Sequence, residues 1–163
     1  MRALSIKQPW ADAIASGLKP VENRSWPPWP SIIGESIAIH ASAAPKRAAE
    51  GEYRRLAGRA ARPLGDMPLA CVVATARVVG ALNVESGQVV GDLTQRQRDR
   101  VLSSPWTEGP WAWLLDQVRA LDAPVRCRGA LSLWGLPAPA LRRVQASLHG
   151  GTAGSGLRQR HRP

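Results

Sequence analysis

Between residues 17 and 26 the chain reads Gly17-Leu18-Lys19-Pro20-Val21-Glu22-Asn23-Arg24-Ser25-Trp26. Successive side chains of a strand point to opposite faces, so an extended segment from Val21 sets Glu22, Arg24 and Trp26 on one side. Lys19 stands at the turn that feeds it. A cation, a carboxylate, a guanidinium and an indole would then converge over a short length of chain. Such a set can bind phosphate through Lys19 and Arg24, accept hydrogen bonds from a base edge on Glu22, and stack a base on Trp26. The same residues also suit a solvated strand carrying a Lys–Glu–Arg ladder of ion pairs, and Trp26 suits a core as well as a stacking platform.

Other residues widen the set. Gln8 and Trp10 precede this segment, and Asn23 lies within it beside Glu22 and Arg24. Trp10 shares one helical face with Ala13, Ile14 and Gly17, so packing competes there with ligand contact. His40, at the end of a candidate strand, is a base, a ligand or a hydrogen-bonded structural residue. Ser42 either supports it or caps the next helix. Arg77 shares a strand face with Val73, Thr75 and Val79, and an arginine so placed needs a partner or solvent. Glu22 is the candidate partner. Arg119, Arg126 and Arg128 either extend a basic rim or are ordinary surface charge. Cys71 and Cys127 form no CxxC pair and have no histidine at metal-ligand spacing. They read as free, buried thiols, and no metal is expected. With neither a GxGxxG nor a phosphate-loop pattern, no cofactor is expected either.

The elements that must position these residues are short. Residues 3–6 read as a strand. Gln8-Pro9-Trp10 opens a helix, with Pro9 suited to a first helical position and Gly17 a natural stop. Strands follow at Val21–Trp26 and Ser36–His40, separated by the Pro27-Pro28-Trp29-Pro30 loop. Pro45–Ala57 reads as a surface helix, Leu69–Val79 as the longest strand and Thr94–Ser103 as a charged helix. Trp111–Leu115 and Ala130–Trp134 are further strands, with Trp111 and Trp113 on one face. The last helix runs from Ala138 to near Leu148. There is no regular βαβ rhythm, which favours an α+β domain around a curved sheet. Residues 149–163, rich in Gly, Ser and Arg, have no apolar period and are expected to be a disordered basic tail to a domain of residues 1–148.

Of 163 residues, 22 are Lys or Arg and 12 are Asp or Glu, a net charge of +10. Five of the arginines and none of the acids lie beyond residue 141, so the body carries about half of that excess. A basic body favours a polyanionic partner. No apolar run is long enough to span a bilayer, and the chain opens without a signal peptide's apolar stretch. A cytoplasmic location and no membrane partner are expected, with a monomer the favoured state.

Gly17-x-Lys19-x-x-Glu22-x-Arg24 resembles the GxKxxExR signature of the ASCH family in the PUA-like superfamily. Leu4 to Trp10, Ile39 to Ser42, Gly109 to Trp113, and Pro124 to Leu131 through Pro137 are similar to further segments of that family, in order. The resemblance covers roughly residues 2–137 and implies a PUA-like β-barrel of mixed short strands with flanking helices. It also implies a cleft near the motif for RNA or a modified nucleoside, with Lys19, Glu22 and Arg24 as the positions carried over. Some family members are acetylcytidine amidohydrolases that use the motif Lys, a Thr three residues later and a Glu on a later strand. Here Glu22 occupies the Thr position and Arg77 falls near the place of that Glu, which puts the nucleophile in doubt. A hydrolase acting on RNA or a modified nucleoside, with Lys19 and Glu22 as catalytic residues, is one alternative. A protein-interaction module, like related domains of transcription coactivators, is another. If Lys19 and Arg24 are surface charges, their removal should change stability by under about 0.5 kcal/mol.

Overall fold

The computed structural model describes residues 1–150. The expected tail lies almost wholly outside the described residues. Seven strands form one mixed sheet in the order β2-β6-β4-β3-β1-β7, with a short β5 on β4. They are β1 (Arg2–Ile6), β2 (Val21–Arg24), β3 (Ser36–Ala41), β4 (Cys71–Asn83), β5 (Val89–Val90), β6 (Trp111–Arg126) and β7 (Leu133–Gly135). Among the described residues only β1 and β3 pair in parallel. The sheet curls into a half-barrel flanked by helices, the expected α+β PUA-like architecture. Its curvature has a local cause. The β4–β6 register shifts at three places and the β3–β4 register between Ile39 and His40, and each such irregularity bends a strand and adds twist.

Strand β6 is much longer than expected. Its first five residues are buried, but from Asp116 onward most positions are half-buried or exposed and carry Arg, Asp and Gln. Pairing with β4 extends it where side-chain pattern gives no signal. The helices are α1 (Trp10–Ala15), α2 (Glu50–Ala57), α3 (Gln95–Ser103) and α4 (Ala138–Gly150). Helix α2 starts five residues later than expected, after a 3-10 turn at Arg47–Ala49, and Ala49 rather than Ser42 stands at its N-cap. In α3, Thr94 and Gln97 form a reciprocal capping box.

Ala11, Ala13 and Ile14 of α1 are fully buried, against β3, β4 and β6. Helix α2 is fastened to α1 through a buried tyrosine. Tyr53 Oη donates to Asp12 Oδ2 at 3.2 Å, and Arg62 Nη1 donates to Asp12 Oδ1 at 2.7 Å. Helix α4 covers the far side, where Ala140 and Val144 meet Ala3, Val72, Leu121 and Val125.

Gly17 ends α1 with φ +75°, and its N–H donates to Ile14 O at 2.9 Å. The reversal lets the Lys19 N–H reach Ala13 O at 2.9 Å, which fixes where β2 begins. A Cβ at Gly17 would meet no atom within 4 Å, so only backbone strain opposes it. Gly17→Ala should therefore lower stability by about 1 kcal/mol. A urea midpoint equal to that of the parent chain would contradict this.

Candidate functional site

Strand β2 pairs with β6, Glu22 opposite Trp113 and Arg24 opposite Trp111. This places the motif on one wall of a cleft of about 350 Å³. The start of α1, helix α2 and the segments at 105–108 and 130–132 complete it. Lys19 and Glu22 are buried, at 3% and 6% exposure. Lys19 Nζ donates to Val21 O and, at 3.2 Å, to Glu22 Oε2. The third ammonium proton has no acceptor among the described residues and belongs to a side chain that lines the cleft. Burial lowers the Lys19 pKa from its ordinary 10.5, and the Glu22 carboxylate opposes that shift.

Arg24 closes the other side of Glu22. Its Nε lies 3.2 Å from Glu22 Oε1, within ion-pair range, but without hydrogen-bond alignment. Its Nη2 donates to Ser5 O at 2.9 Å, tying β2 to β1. The Lys–Glu–Arg ladder foreseen from sequence is thus present, but walled in rather than solvated.

Of the nine residues singled out from sequence, Trp10, Lys19, Glu22, Asn23 and Arg24 line this cleft. Asn23 Nδ2 donates to Trp106 O at 2.9 Å and its Oδ1 accepts from the Glu108 N–H at 3.1 Å, so it clamps the 105–108 segment. Trp10 meets Trp106 edge to face at 6.0 Å. Trp26, Gln8, His40 and Arg77 do not line it. Trp26 lies beyond β2, edge-on to Trp113 at 4.8 Å, with its carbonyl accepting from Trp113 Nε1; here it packs. Gln8 is fully buried between Pro68 O and the Asp12 N–H. Arg77 does not partner Glu22. It forks onto Asp116, directly opposite it on β6, through two hydrogen bonds of 2.9 Å, and this pair lowers the Asp116 pKa.

His40 is 1% exposed. Its Nδ1 lies 3.3 Å from Ser5 Oγ and its Nε2 3.1 Å from Cys127 O, while Trp134 Nε1 donates to Ser5 Oγ at 3.1 Å. Burial lowers its pKa from the ordinary 6.5, against the opposing pull of the Cys127 carbonyl. Below pH 6.5 the unfolded chain therefore takes up a proton that the folded one refuses. The stability His40 contributes is complete above 6.5 and is lost as the pH falls below it. The melting temperature should drop through that window, and His40→Gln should remove that part of the slope. Parallel curves for the two proteins would contradict the assignment. Cys71 and Cys127 are both free thiols, and burial raises the pKa of each.

The first cleft is less basic than expected. Lys7, Lys19, Arg24 and Lys46 face Glu22, Glu52 and Glu108. Sequence reading missed Ser5, Lys7, Lys46 and Trp106. None lies in the motif, and only long-range pairing brings them to it. No group of three or more His, Cys, Asp or Glu residues able to hold a metal occurs among the described residues, and no helix there is long and apolar enough to cross a membrane.

The family model described as the ASCH domain matches residues 4–103. No curated protein matches the chain. Among solved structures, an ASCH protein from Zymomonas mobilis is 19% identical with a TM-score of 0.50, over 89% of this chain and 93% of that one. A tyrosine-to-phenylalanine variant of that protein, also 19% identical, gives 0.51 over 89% and 96%. These likenesses concern the fold.

Proposed function

The chain belongs to the ASCH domain family, a family generally thought to bind RNA, and from that premise we propose that it holds RNA or a modified nucleobase in the cleft beside the GxKxxExR motif. One observation carries the reading. Lys19, Glu22 and Arg24 are held together on the wall of a cleft large enough for a base, with an ammonium proton unused and two exposed lysines, Lys7 and Lys46, on its lining. Lys19 and Glu22 are fixed before any ligand arrives, so little order is lost on binding. Lys7 and Lys46 supply the mobile charge that meets phosphate. Trp10, half-buried and backed edge to face by the buried Trp106, offers aromatic surface on the same cleft, and base stacking on such surface tolerates any base.

The hydrolase alternative draws support from one feature. A buried lysine of lowered pKa beside a carboxylate is a proton-transfer pair. The hydroxyl nucleophile of the acetylcytidine-type site has no counterpart at residue 22, and Arg77 is committed to Asp116. Retention and product formation should be read together on a panel of single-stranded RNAs and modified nucleosides. Retention without product is the expected result, and product would install the hydrolase instead.

A further inference from the structure

A second cleft, of about 680 Å³, lies beside the first. Ser5, Ser42, Ala130 and Leu131 line both, so the two are contiguous. The second is charged differently. Its lining holds Arg126 and Arg128, both exposed, and no carboxylate. The nearly balanced first cleft and this one together present six cations against three carboxylates. Two of the three surplus cations therefore sit in the second cleft, away from the motif.

The wall of the second cleft is built tightly. A Cβ at Gly129 would lie 2.4 Å from His40 Cε1 and 2.9 Å from Ser5 Oγ, so the 127–131 segment rests directly on the Ser5–His40 pair. Only three non-glycine residues have positive φ among the described residues. Two of them border these clefts: Ala70 at φ 52° lines the second and Ser132 at φ 59° lines the first. Such strained backbone persists only where its surroundings hold it, and it gathers at ligand sites. Leu131, 93% exposed, stands on the ridge that both clefts share.

Resting on the RNA-binding reading above, we propose that the second cleft takes the nucleotide next to the one held at the motif, so that the ligand is a single strand of RNA and not a free nucleoside. A free nucleoside has no phosphate for Arg126 and Arg128. A strand crossing the Leu131 ridge places one there and sets a second base over the more apolar floor.

The test is a titration of uridine monophosphate, a diuridine nucleotide and a hexauridine nucleotide against the full chain and its Arg126→Ala/Arg128→Ala variant. Affinity should rise about tenfold or more from the mononucleotide to the longer ligands. The variant should lose that rise while binding the mononucleotide as the parent does. Equal affinity at every length, with no effect of the variant, overturns this inference and leaves the motif cleft standing as a nucleotide site. Binding at no length overturns both.

Discussion

Lys19→Ala should lower the stability of the fold by about 3 kcal/mol, because it strands a buried carboxylate. A surface lysine would cost under about 0.5 kcal/mol, which is what the sequence alone suggests. The structure corrects that expectation: Lys19 is 3% exposed and its ammonium holds both Glu22 and the Val21 carbonyl. Among the described residues Arg24 is the one remaining cation against Glu22, and its Nε is not aligned for a hydrogen bond. Combining Lys19→Met with Glu22→Gln removes both charges and keeps the volume, so the double variant should recover most of the loss. Chemical denaturation of the two single variants and the double measures this directly. A Lys19→Ala midpoint equal to the parent's would show that the pair contributes nothing. Binding losses in Lys19→Ala have to be read against this instability, which is why a test of binding is better made on exposed residues.

Glu22→Gln should separate binding from catalysis. It keeps the shape of the side chain and one acceptor oxygen but not the second acceptor, the charge or the ability to accept a proton. A site that only binds a polyanion should retain its affinity or gain, since one of three carboxylates has left the cleft. A hydrolase using Glu22 as its base should lose turnover by about a hundredfold while still retaining substrate. The first result is expected, read as RNA retention and product by the same assay. The change also has a pH signature. Glu22 opposes the depression of the Lys19 pKa, so without it the folded-state value should fall further below 10.5. The folded chain then binds fewer protons than the unfolded one over a wider window, and stability should climb with pH across that window up to 10.5.

Much of this was legible in the sequence, for identifiable reasons. The motif strand, α1 and its Gly17 stop, the capped α3 and the core of β4 follow from period, caps and breakers, which are local. The placing of Lys19, Glu22 and Arg24 together follows from their spacing. What escaped depends on distant partners. Residues 116–126 join β6 only because β4 lies alongside. Arg77 turns to Asp116 because the register sets the two opposite each other, a fact that no pattern within β4 contains. Lys19 shares its cleft with the 105–108 segment and α2, which are distant in sequence, and the Asn23 clamp on Trp106 spans 83 residues. The second cleft is invisible in sequence for the same reason. Its lining comes from β1, β3, the segments at 42–43 and 70, the end of β6 and the 127–131 segment that follows it.

The most direct test of the account is the affinity of the full chain for single-stranded RNA over a salt series, measured beside Lys7→Ala/Lys46→Ala. Both lysines are exposed cleft residues and make no side-chain ion pair or hydrogen bond among those described, so the fold should be unaffected. The parent chain should bind. The variant should lose about tenfold or more in affinity at about 0.1 M salt, with a slope of log affinity against log salt shallower by about 1.4. A parent that does not bind, or a variant with the same affinity and the same slope, would contradict the RNA-binding reading.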